Sequence, residues 1–192
     1  MFKLYTEENL TLKFDDYATI LRECSALGAK TALEFGPGYT TLALIEAGLI
    51  KIVSLEHNEE WFEKMKIRFA EYPQVEVRRY QDEPEATADL AADEQFDMAI
   101  VDSPQGFNRQ IRDRISRKRH PGQADCSRFN TCVLALKHAP VVYLHDANRP
   151  LERCTLERLN ALGHRVTQLK SKYGLARIER GQDANRPDTP GA

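Results

Sequence analysis

No apolar run in this chain approaches the ~20 residues that a membrane-spanning helix needs, and the mean hydropathy of −0.53 agrees. The charge has no dominant sign: 27 Lys and Arg stand against 29 Asp and Glu, a net of −2. That balance excludes the overall basicity of a nucleic-acid coat and the acidity of a solvating tail. The opening MFKLYTEENLTLKFDD lacks the apolar core and small-residue cleavage pattern of a signal peptide, so secretion is not expected. Cysteine is scarce, and Cys24, Cys126, Cys132 and Cys154 include no C-x-x-C pair. Zinc clusters and disulfide frameworks show tighter spacing, so the expectation is reduced, mostly buried thiols in a cytoplasmic protein. No internal repeat is evident.

What is present is an alternation of helices and strands in 192 residues, a length that suits one domain with its own core. The domain is placed at residues 1–180, and the polar, breaker-rich residues 181–192 read as a flexible tail. Tyr17, Ile20, Leu21, Cys24 and Leu27 fall at helical spacing and predict a helix from about Asp16, stopped by Gly28. Apolar runs at Thr31–Phe35, Lys51–Leu55, Val75–Tyr80, Phe96–Val101 and Val141–Leu144 read as strands. Helical stretches separate them, including one that Asn58 caps and one that Pro150 opens. Arg165–Leu169 and Leu175–Ile178 are joined by four residues, too few for a crossover helix but enough for a hairpin. The expected fold is therefore α/β, a Rossmann-like doubly wound sheet of seven strands, mostly parallel with an antiparallel C-terminal hairpin strand.

In such a sheet, ligands sit beyond the carboxyl ends of the strands, where the winding reverses. After the first strand comes Glu34-Phe35-Gly36-Pro37-Gly38-Tyr39-Thr40-Thr41, and after the second comes Glu56, twenty positions beyond Gly36. The glycines let a ligand approach the backbone, and a carboxylate at Glu56 can accept hydrogen bonds from both hydroxyls of a ribose. A dinucleotide site wants G-x-G-x-x-G, whose third position is Thr41 here, and Glu34 sets a carboxylate where a pyrophosphate would lie. A cationic ligand such as S-adenosylmethionine suits that carboxylate better. A turn without any ligand is the bland reading of the glycines alone.

LEFGPG, SLEHNEEW and FDMAIVDSP, with the terminal hairpin, resemble a class I S-adenosylmethionine-dependent methyltransferase over roughly Ala29 to Glu179. The resemblance implies a cofactor site in which Glu34, Phe35, Gly36, Gly38 and Thr40 surround the methionine portion. It also sets Glu56 at the ribose, His57 beside the adenosine, Asp82 towards the adenine and Asp102 near the reacting methyl group. VDSPQGF and YLHDANRPLER, with Trp61 shortly after Glu56, are similar to the plant polysaccharide 4-O-methyltransferase family that acts on glucuronic acid side groups. The chain is shorter than that family and shows no membrane anchor.

Two polar clusters directly follow apolar strands: Asp102 to Gly106, and His145, Asp146, Asn148 and Arg149. Methyl transfer to a hydroxyl needs alignment and a proton acceptor. Asp102, His145 and Asp146 are the catalytic candidates, with His145 favoured as the base for its near-neutral reference pKa. The same residues could hold a divalent metal, as in catechol-type methyltransferases; a metal-free base is the preferred reading. Arg109, Arg112, Arg114, Arg117, Lys118 and Arg119 make a basic stretch opposed locally only by Asp113. Gln105, Arg109, Arg117 and Arg149 are accordingly the substrate-binding candidates for a small, anionic acceptor, including a sugar acid. Nucleic acid is disfavoured, since no aromatics beyond Phe107 interleave the basic residues. The leading expectation is O-methylation from S-adenosylmethionine. The alternatives are an NAD(P)-dependent oxidoreductase, which Thr41 and Glu34 oppose, and a non-catalytic S-adenosylmethionine-binding protein.

Overall fold

The computed structural model describes residues 14–82, 86–103, 126, 128–171 and 173–181. The elements run α1 (Phe14–Leu27), β1 (Thr31–Phe35), α2 (Tyr39–Glu46), β2 (Lys51–Glu56), α3 (Glu59–Arg68), β3 (Val75–Asp82), β4 (Ala86–Ala88), β5 (Met98–Val101), α4 (Phe129–His138), β6 (Val141–His145), α5 (Pro150–Ala161), β7 (Arg165–Leu169) and β8 (Leu175–Glu179). They build one eight-stranded sheet in the order β4-β3-β2-β1-β5-β6-β8-β7. The five central strands are parallel, while β8 pairs antiparallel with both β6 and β7. The terminal hairpin is thus inserted as expected, with β8 on the inside.

The strand count differs from seven because Ala86–Ala88 folds back antiparallel on the end of β3, Asp82 facing Ala86. Two alanines and a threonine behind a proline carry no strand signal of their own, and only the partner strand makes this segment extended. β3 also runs two residues past its apolar run.

Alternate residues of the strands feed two separate cores. Ala32, Met98, Ile100, Val141 and Tyr143 pack with Tyr17 and Ile20 of α1, Leu42 of α2 and Met65 of α3. Leu33, Phe35, Ala99, Val101, Val142 and Leu144 pack with Cys132 and Leu136 of α4 and Leu156 and Leu159 of α5. Burial of both faces is what allows these strands to carry apolar residues on both sides. The winding reverses between β1 and β5, and both strands end in turns that touch. Asp102 and Ser103 each donate a backbone N–H to the Phe35 carbonyl at 2.9 Å. At Gly36, with φ of 94°, an added Cβ would come within 2.8 Å of Ser103 Cβ, so the crossing of the two turns requires a residue without a side chain.

One expectation about the cysteines is corrected. Cys126 and Cys154 form a disulfide with Cα atoms 5.2 Å apart, across 28 positions of sequence; Cys24 and Cys132 are the free, buried pair. The fold brings the residue ahead of α4 onto α5, a proximity that spacing does not reveal. The cysteines therefore no longer argue for a reducing compartment. Among the described residues, no helix is long and apolar enough to cross a membrane.

Candidate active site

Glu34 sits on β1 with no exposed surface. Its Oε2 accepts hydrogen bonds from Ser54 Oγ of β2 at 2.5 Å and from Thr41 Oγ1 of α2 at 2.6 Å. Thr41 Oγ1 in turn accepts the Gly38 N–H at 2.9 Å, so the glycine turn is tied to the carboxylate through one hydroxyl. Burial pushes the Glu34 pKa up to about 7, against the pull of those donors. Its Oε1 and Thr40 Oγ1 are buried and neither makes a hydrogen bond of normal geometry, while the Thr40 hydroxyl is near enough to pull the Glu34 pKa down. Unsatisfied buried polar atoms are uncommon and expensive, and they mark a place where a missing donor belongs.

Glu56 ends β2 and is buried. Its Oε1 accepts the Asn58 N–H at 2.7 Å and stands 3.0 Å from His57 Nδ1. His57 Nδ1 is also 2.9 Å from Ser103 Oγ, so the ends of β2 and β5 are linked across the crevice. The Trp61 indole donates to the Pro37 carbonyl at 2.9 Å, fixing the first turn of α3 to the glycine turn. Asp82 ends β3, the strand next to β2, three residues beyond the Arg79 that pairs with Glu56; its side chain is outside what is described.

Across the winding point, Asp102 follows β5 and His145 ends β6. His145 is almost entirely enclosed, with Nδ1 2.8 Å from Asp102 Oδ1 and 3.5 Å from Asp146 Oδ2. Its Nε2 lies 3.1 Å from Asp16 Oδ2 of α1, and Ser171 Oγ donates to Asp16 Oδ1. Burial opposes a charge on the ring, but the Asp102, Asp146 and Asp16 carboxylates outweigh it and push the His145 pKa up to about 11. Each ring nitrogen faces a carboxylate oxygen, an arrangement that favours the protonated imidazole. The expected catalytic base thus stands between carboxylates, with Asp102 at one ring nitrogen and Asp16 at the other. The favourable contact with the ring holds the Asp146 carboxyl below its ordinary range despite burial. Asp146 is left-handed, with φ of 58°, a conformation Asp tolerates better than most residues and one that recurs at functional sites.

The structure thus brings Glu34, Phe35, Gly36, Gly38, Thr40, Glu56, His57, Asp102, His145 and Asp146 to the same end of the sheet. Arg149 is half exposed, and its guanidinium is 2.8 Å from Asp146 Oδ2. Gln105, Arg109 and Arg117 lie outside the described residues, as does the rest of the basic stretch. Sequence reasoning missed Asp16, Arg128 and Glu152. Asp16 reads as a helix-start acid, Glu152 as a first-turn acid behind Pro150, and Arg128 carries no local signal.

No protein-family model matches the chain, and no curated protein matches it in sequence. The narrower likeness to the polysaccharide 4-O-methyltransferases accordingly finds no support. Solved structures do match. The O-methyltransferase TomG of Streptomyces achromogenes, involved in tomaymycin synthesis and crystallised with S-adenosylmethionine, is 17% identical with a TM-score of 0.56, over 90% of this chain and 82% of that one. An O-methyltransferase of Bacillus cereus, in complex with S-adenosylhomocysteine, is 18% identical with a TM-score of 0.57, over 88% and 82%. A Pyrococcus horikoshii protein provisionally named an RNA methyltransferase, PH1948, is 16% identical with a TM-score of 0.59, over 93% and 87%. At these identities the likeness is one of fold, and the chain has the fold of S-adenosylmethionine-dependent methyltransferases.

Proposed function

We propose that the chain is an S-adenosylmethionine-dependent methyltransferase acting on an oxygen of a small acceptor. The observation that carries this reading is the pair of unsatisfied buried oxygens, Glu34 Oε1 and Thr40 Oγ1, beside the glycine turn at the winding point. An α-ammonium brings the N–H donors they lack, and a net positive ligand draws Glu34 into its charged form. Gly36 and Gly38 let the methionine portion lie against the backbone, and Glu56 accepts from the ribose hydroxyls. His57 stands beside the nucleoside. The cofactor supplies an electrophilic methyl on its sulfonium; the chain has to align the acceptor and take its proton.

Asp102 is the proton acceptor in this reading. Its Oδ1 is engaged by the His145 ring, its Oδ2 makes no hydrogen bond among the described residues, and its side chain is 19% exposed. His145 and Asp146 position it. The anionic character of the acceptor rests on Arg109 and Arg117, since Arg149 is already paired with Asp146. An Arg117→Glu variant tests it, with a raised acceptor KM expected.

Calorimetry with S-adenosylmethionine, S-adenosylhomocysteine and NAD tests the cofactor. Micromolar binding of the first two and none of NAD is expected; NAD binding alone would overturn the assignment. An oxidoreductase is disfavoured because Thr41 fills the third-glycine position and its hydroxyl is held by Glu34 and Gly38.

A further inference from the structure

Arg128 is the residue that neither the sequence pattern nor the proposed chemistry uses. It precedes α4 in a left-handed conformation, φ 61° and ψ 11°, which an arginine has no intrinsic reason to adopt. Its side chain is 1% exposed, and its Nη1 donates to the His145 carbonyl at 3.0 Å. The guanidinium nitrogens lie 3.7 Å from Asp102 Oδ1, 3.9 Å from Asp146 Oδ2 and 4.0 Å from Glu152 Oε1. At these separations the guanidinium faces three carboxylates as a charge.

Asp102, His145 and Asp146 bring one ligand atom each within 4.8 Å of one another, a spacing that could hold a metal ion. Two of these three residues are the ones Arg128 faces. Their third member already faces Asp102 and Asp16. A divalent ion binding there would have to compete with a buried guanidinium that already faces two of the three ligands. The disulfide stands two residues from Arg128 on one side and two from Glu152 on the other, and it keeps the start of α4 against α5.

We propose that Arg128 is the resident cation of this crevice, a positioning residue held by the Cys126–Cys154 disulfide in the place a divalent metal would otherwise take. It balances Asp102, Asp146 and Glu152 and keeps the first two at fixed separation. Unlike a metal, a guanidinium offers no open coordination position to an acceptor oxygen. Proton removal is then left to a carboxylate. The inference rests on the methyl-transfer reading for this consequence alone; the occupancy itself does not depend on it.

Mn²⁺ titration of the full chain, followed by electron paramagnetic resonance, reads occupancy directly. The unaltered protein is expected to leave the free Mn²⁺ signal unchanged to millimolar concentration. Arg128→Ala is expected to bind Mn²⁺ at least tenfold more tightly, with the gain removed by adding Asp102→Asn. Arg128→Lys should restore exclusion, and Cys154→Ser should weaken it. Micromolar Mn²⁺ binding by the unaltered chain, abolished by Asp102→Asn, would overturn the proposal even if Arg128→Ala fails to fold. A folded Arg128→Ala that gains no Mn²⁺ would overturn it too. A chain that excludes Mn²⁺ but binds no S-adenosylmethionine keeps the resident cation and removes the methyltransferase reading, so the two failures are distinguishable.

Discussion

Glu34 carries its own pH signature. Its pKa of about 7 lies above the ordinary 4.5 because the carboxyl is buried. A cationic ligand favours the charged form, so binding releases a proton. S-adenosylmethionine affinity should climb about tenfold per pH unit up to 7 and level off above it. Calorimetry from pH 5.5 to 8.5 checks this; Glu34→Gln should flatten the profile and weaken binding. On the catalytic side, Asp102→Asn should lower kcat by roughly 10²–10⁴, the range of a lost general base, while cofactor affinity stays within a few-fold. Stopped-flow or coupled assays of S-adenosylhomocysteine formation read the difference. The glycine turn and Glu56 were legible because neighbours in sequence make them. The His145 charge state was not, because Asp16 comes from 129 positions away. The identity of a histidine says nothing of which carboxylates will surround it.

Among the elements, the two strand-to-helix turns set the site. Gly36→Ala would force a side chain onto φ of 94° and onto Ser103 Cβ at 2.8 Å. The expected cost is about 1–3 kcal/mol from backbone strain, before any repacking. Chemical denaturation measures it, and the cofactor affinity of the surviving folded protein should fall as the turn opens. The central strands were readable because sheets buried on both faces need unbroken apolar runs. β4 was not, because three small residues at an edge owe their conformation to a partner. α4 and α5 were recognised as helices, yet nothing in their periodicity indicated that Cys126 and Cys154 meet between them.

For the molecule as a whole, two features set its response to conditions. A loop of 28 positions closed by the disulfide is worth roughly 3.5 kcal/mol in chain entropy, so reduction by a dithiol should lower the Tm by on the order of 10 °C. Differential scanning calorimetry with and without reductant tests it, Cys126→Ser serving as the non-reducible control. The His145 pKa is raised from 6.5 to about 11; its folded form holds the proton more tightly than the unfolded chain does. That stabilisation is complete below pH 6.5, declines through the alkaline range and is gone above about 11. His145→Asn should lose this slope in denaturation curves taken from pH 6 to 10. Asp16, finally, is held by His145 and by Ser171, 129 and 155 positions further along. During synthesis the first described helix therefore leaves the ribosome long before either partner exists. The surroundings of Asp16 are completed late, when the terminal hairpin arrives, and a nascent chain arrested ahead of residue 171 should show faster hydrogen exchange at the first turn of that helix while its core face stays packed.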